Sequence, residues 1–137
     1  MENIVKELRI LHSALTMGAL LILLIIGLIL LPISTTEFDL TFGIYTIIGL
    51  GIGLINIALA YGIFQKKLDR LGAKQINQEV ITEMRANYVT KWALLEGAAL
   101  INIVLYFLEG NKLLIAFATI IILMLYLSKP RLTIDHA

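Results

Sequence analysis

The sequence predicts an all-α protein, an integral membrane four-helix bundle, and three observations carry that prediction. Composition is the first: 59% of the 137 residues are hydrophobic and 15% charged, with a mean hydropathy of +0.91, whereas about a quarter of a soluble domain is charged. The second is a set of four apolar runs near the length a bilayer demands, roughly 20 residues for a hydrocarbon core of about 30 Å. The third is a one-sided distribution of lysine and arginine among the connections. Apolar and polar residues do not alternate within the runs as they would in a membrane β-barrel, so each span is expected to be a helix with its backbone groups bonded internally.

The first span runs from Leu11 to Leu31. Lys6 and Arg9 precede it as they would a secretory signal, but an h-region of that kind has ~7–15 residues and ends at a small-residue cleavage site. This run is longer and ends on Leu-Pro-Ile-Ser, so it is expected to be retained. Pro32 to Thr41 then forms a short external loop. The second span covers residues 42–64, the third 90–108 and the fourth 112–128. Glu109-Gly110-Asn111-Lys112 reads as a tight turn whose Gly-Asn pair tolerates positive φ, which makes spans three and four a close hairpin. Between spans two and three, residues 65–90 form a polar connection in which Ile76, Val80, Met84 and Tyr88 recur every four residues. Glu79, Glu83, Arg85 and Asn87 fall between them, the pattern of an amphipathic helix. It is expected to continue into span three and to lie on the membrane or pack on its neighbour, with Gly72 breaking it from a short extension of span two.

Charge orients the spans. Lys6, Arg9, Lys66, Lys67, Arg70, Lys74, Arg85, Lys91, Lys129 and Arg131 fall on one side, and Lys112 faces them with Glu37, Asp39 and Glu109 beside it. Cytoplasmic loops carry the basic excess, so a multi-pass protein of the bacterial inner membrane with both termini cytoplasmic is expected. The lipid bilayer is then the first partner, and Lys66, Lys67 and Arg70 would each gain about 1 kcal/mol from anionic headgroups. A second copy of the chain or a membrane protein docking on the connection 65–90 is the other expected partner; nothing points to nucleic acid. Cysteine is absent, which removes disulfides and thiolate chemistry. No phosphate loop and no His/Glu metal spacing occurs, so neither enzyme activity nor a metal or cofactor is expected.

Small and polar residues inside the spans mark helix contacts. At 3.6 residues per turn, Gly49, Gly53, Asn56 and Ala60 share a wedge of about 60° on span two. Ala93 and Gly97 offer a second small stripe on span three. Asn56 and Asn102 lie at similar distances from the basic side, and a bond from either across helices adds about 0.6–2 kcal/mol. Tyr61, Phe64, Tyr88, Trp92 and Tyr126 read as an aromatic belt on that side, and Phe42, Tyr45, Tyr106 and Phe107 as its counterpart.

One carboxylate interrupts span three. Glu96 lies five residues past Lys91, about 7 Å along the axis, with His12 and Thr16 of span one and Tyr61 of span two at comparable depth. These are its expected partners. Glu96, His12 and Tyr61 are accordingly the candidates for holding a proton or cation, against a purely structural role in which the same groups bond one another. "ALTMGALLI" from Ala14 also aligns with "ALLEGAALI" from Ala93 at an offset of 79 residues, as a two-plus-two duplication would require.

The "LLEGAAL" segment at 94–100, the Gly110-Asn111 turn and Pro130 after the last span resemble a group of uncharacterised small four-span bacterial membrane proteins over nearly the whole chain, although that group often has proline where Ala98 stands. The resemblance implies the same fold and carries no activity. "GLGIGLINIALAYGIFQKKLD" is similar to the third helix of small multidrug resistance exporters, where a Gly-rich helix bends; their essential glutamate sits in the first helix, which has none here. A lone acid among Gly-rich helices also looks like the rotary ATPase proteolipid, whose acid occupies a different helix and depth. The expected function is a structural or accessory role in the membrane, and the alternative is an oligomeric proton-coupled small-solute transporter using Glu96.

Overall fold

A computed structural model describes residues 2–30, 43–75 and 77–129, apart from the side chains of 2 and 28–30. All secondary structure among the described residues is helical: α1 (Glu2–Leu30), α2 (Ile44–Gly72), α3 (Gln78–Glu109) and α4 (Lys112–Leu127). The expected external loop, Phe42, Ile76, Pro130, Arg131 and His136 lie outside the described residues.

Asparagine and glycine set the helix ends. Asn77 Oδ1 accepts from Val80 N (2.8 Å) at the start of α3, and Asn111 Oδ1 accepts from Leu113 N (3.0 Å) at the start of α4. Each satisfies a backbone donor that has no partner within its own helix. Gly110 alone carries positive φ (74°) between them, ending α3 in the left-handed conformation that glycine adopts without a Cβ penalty. The Gly-Asn pair therefore divides the work: Asn111 has φ −80° and acts as a cap.

Three helices are long and apolar enough to cross a membrane, and α4 is a shorter apolar helix. At 1.5 Å per residue the 32 residues of α3 extend about 48 Å, well past a hydrocarbon core. Residues 65–72 and 78–90 are the continuing ends of α2 and α3, packed on each other as a helical hairpin.

α3 is the central element, touching α1, α2 and α4, and α4 in turn touches α1 and α2. Its burial pattern follows: Leu95, Ala98, Ala99, Asn102 and Ile103 are buried on adjoining faces. α1 buries only one stripe, Val5, Leu8, His12, Thr16 and Ala19, and exposes Ile10, Met17, Leu21 and Leu24. Such an apolar exterior is compatible with a membrane span. Among the described residues α1 makes no contact with α2, whereas α3 and α4 pack as a hairpin, so the pairing of the second two helices is not repeated in the first two.

Ala60–Phe64 forms a π-turn within α2. In a regular helix the eight residues from Ala60 to Leu68 would rotate the buried stripe about 80° off its face. One extra residue in the turn absorbs that rotation. Ala60, Leu68 and Leu71 are all buried as a result, and the polar end of α2 packs on Val80, Met84 and Tyr88 of α3.

Candidate functional site

The last turn of α4 leaves carbonyl groups with unused acceptor capacity, and neighbouring helices supply donors to them. His12 Nε2 of α1 donates to Leu125 O (2.7 Å), and Trp92 Nε1 of α3 donates to Ser128 O (2.9 Å). The two rings pack on each other with centroids 4.9 Å apart. From α2 the Tyr61 hydroxyl shares a hydrogen bond of 3.0 Å with Ser128 Oγ. Lys91 Nζ stands 4.5 Å from the Tyr61 ring centroid and donates to Gln65 Oε1 (2.6 Å), while Gln65 Nε2 donates to Asp69 Oδ1 (3.0 Å). One polar network thus joins all four helices at this end.

His12 and Tyr61 belong to that network. Glu96 does not: it is half-buried and makes no hydrogen bond or ion pair among the described residues. The expected Glu96–His12–Tyr61 cluster is therefore not assembled, because both partners are committed to the C-terminal end of α4. Thr16, the other expected partner, is buried with its hydroxyl unbonded among the described residues.

Across the middle of α2, Asn102 Nδ2 donates to Gly49 O (3.1 Å) and to Ala98 O (2.8 Å), and Asn56 Nδ2 donates to Leu94 O (3.0 Å). A Cβ at Gly49 would lie 2.7 Å from Asn102 Oδ1 and 2.8 Å from Leu114 Cδ2; one at Gly53 would overlap the Phe117 ring. Ala60 is fully buried farther along this stripe. Gly97 behaves otherwise. A Cβ there would meet nothing within 4 Å and Ala93 is exposed, so the second small stripe faces away from the other helices among the described residues.

At the opposite end, Glu109 Oε2 accepts from Thr46 N (2.6 Å) and Thr46 Oγ1 (2.7 Å), and Asn111 Nδ2 donates to the same hydroxyl (3.1 Å). An anion at the start of α2 also complements the helix dipole. Gln65, Lys91, Ser128, Thr46 and Glu109 were not candidates from the sequence. Lys91 reads there as a boundary charge, yet it is 4% exposed. The aromatic belts differ from expectation in part: Tyr88, Trp92 and Tyr106 lie on faces of α3 that the other helices cover and are buried, whereas Tyr45, Phe107 and Tyr126 are exposed.

Among the described residues no group of three His, Asp or Glu side chains is placed to hold a metal ion. No protein-family model, no curated protein and no solved structure matches this chain.

Proposed function

We propose that the chain is a multi-pass inner-membrane protein, a four-helix bundle with both termini in the cytoplasm, whose role is structural or accessory rather than enzymatic. One observation carries this reading. The buried His12, Trp92 and Asn102 and the half-buried Asn56 each donate to a main-chain carbonyl of another helix, which uses them as interhelical fasteners. The exposed apolar faces of α1 and α2 support the lipid setting, and the basic hairpin end of α2 and α3 supports the cytoplasmic orientation.

A second reading, an oligomeric proton-coupled transporter using Glu96, draws on one feature. Glu96 adjoins Gly97 and Ala93 in the chain, a stripe that no other helix covers among the described residues, where a second copy would pack. The test is Glu96→Gln in purified, reconstituted protein, read by oligomeric state and by proton flux in liposomes. Under the accessory reading the variant keeps its assembly state and neither protein moves protons. Glu96-dependent flux in the parent protein would replace that reading with the transporter.

A further inference from the structure

A cavity of about 430 Å³ opens beside the network at the C-terminal end of α4, between the hairpin end of α2 and α3. Its polar lining is Tyr61, Gln65, Asp69, Lys91, Ser128 and Lys129. Leu127, 65% exposed, forms one apolar edge; Lys91, Lys129 and the hydroxyls of Tyr61 and Ser128 follow; Asp69 lies two helical turns beyond Tyr61, on the polar end of α2, where Leu68 and Met84 also line the cavity. An apolar edge, then cations with hydroxyl donors, then a carboxylate, is the complement of a glycerophospholipid that carries an amine beyond its phosphate.

We propose that this cavity binds the headgroup of an aminophospholipid of the phosphatidylethanolamine type. The phosphate is held by Lys91 and Lys129 with the Ser128 and Tyr61 hydroxyls, and the terminal ammonium by Asp69. These groups are already linked: Lys91 covers the Tyr61 ring, the Tyr61 hydroxyl bonds Ser128, and Ser128 adjoins Lys129 in the chain. Lys91 is nearly buried, so water screens its attraction for a phosphate weakly. Lys129 Nζ rests 4.6 Å from the ring centroid of Tyr126, an exposed aromatic of the kind found at headgroup level. Asp69 explains why a plain anionic lipid is not the better ligand. Its Oδ1 accepts from Gln65, whose Oε1 accepts from Lys91, so a carboxylate stands one amide away from the phosphate-binding ammonium. Its Oδ2 accepts no hydrogen bond among the described residues and is available to an ammonium.

The inference rests on the membrane placement proposed above, and the two are separable. Resistance of the protein to alkaline extraction from membranes reads the placement; lipid retention reads the cavity. The chain is reconstituted in nanodiscs holding equal amounts of phosphatidylethanolamine, phosphatidylglycerol and phosphatidylcholine, released, and weighed with its bound lipid by native mass spectrometry. Phosphatidylethanolamine is expected to be retained at least threefold over either other lipid. Lys129→Gln, at the exposed rim, lowers retention of every lipid, and Asp69→Asn removes the preference for ethanolamine while binding persists. Trp92, the only tryptophan and bonded to Ser128, gives an independent signal in titrations with short-chain phosphatidylethanolamine and with O-phosphoethanolamine. A shift with the short-chain lipid at concentrations where O-phosphoethanolamine gives none supports the lipid. Equal response to both reassigns the cavity to a soluble phosphoester, and retention without preference, or a preference that survives Asp69→Asn, overturns the proposal.

Discussion

The Glu109 carboxylate fills the space into which a side chain at Gly43 would project, and a Cβ built there would overlap its Oε1. Gly43 precedes α2 with φ −72° and ψ 169°, extended backbone that any residue adopts. Glycine is required here by the contact and not by the dihedrals. Glu109 reaches this position to cap Thr46, whose side chain is fully buried.

The two residues should therefore be coupled. Glu109→Ala alone is expected to cost about 1 kcal/mol, as for a lost helix cap, and Gly43→Ala alone about 1–3 kcal/mol, as for an overpacked contact. In the Glu109→Ala background the cost of Gly43→Ala should nearly vanish. Reversible unfolding in mixed micelles closes this cycle, and costs that simply add would show that the carboxylate is not what excludes a side chain at residue 43.

Gly49 and Asn102 pose a choice between steric and polar stabilisation of α2 on α3. Asn102 spends both amide hydrogens on carbonyls while its Oδ1 is buried without a partner, so removing the side chain also removes an unsatisfied atom. Asn102→Ala is thus expected to cost no more than about 1 kcal/mol. Gly49→Ala places a methyl against Asn102 and Leu114 and should cost about 1–3 kcal/mol. The order of the two effects, measured in the same unfolding assay, decides the matter; a larger loss from Asn102→Ala would make the hydrogen bond dominant.

The all-helical fold was legible because bilayer-length apolar runs and four-residue periodicity are local signals, read directly from the chain. The Gly49-Gly53-Ala60 stripe was legible for the same reason: small residues on one wedge require only 3.6-residue geometry. The role of Glu96 was not. Its depth can be counted from Lys91, but the side on which α1 packs cannot, and α1 determines whether His12 faces Glu96 or the end of α4. Lys91 misleads in a related way, since a lysine at the end of an apolar run reads as a solvent boundary until α2 is seen to continue beyond it to Gly72. Ser128 and Glu109 gave no signal as single residues; each gains its partners only when a third helix arrives.

Trp92 ties the end of α4 to α3 by one hydrogen bond inside a ring cluster with His12 and Tyr88, whose centroids lie 4.9 and 5.4 Å away. Trp92→Phe keeps an aromatic ring there and deletes the donor to Ser128 O. A loss of about 0.5–1.5 kcal/mol is expected, the net worth of one hydrogen bond. Trp92→Ala deletes the ring as well and should cost about 3–5 kcal/mol, as for an emptied aromatic site. Near-equal losses in the two variants would mean that packing contributes little beside the bond.

Topology is the property on which the proposed role depends, and a chain without cysteine allows it to be read one position at a time. Lys74 is exposed at the turn joining α2 to α3, while Lys112 opens α4 at the far end of α3. With the basic hairpin end in the cytoplasm, Lys74→Cys in intact spheroplasts should resist a membrane-impermeant maleimide and react fully once the membrane is opened. Lys112→Cys should react before opening. Both positions lie outside the interhelical bonds described above, so neither substitution should disturb the fold by more than a few tenths of a kcal/mol. Reaction of Lys74→Cys in sealed spheroplasts would invert the protein. The cavity beside Lys91 and Lys129 would then face the periplasmic leaflet, and the positive-inside argument would fail for this chain.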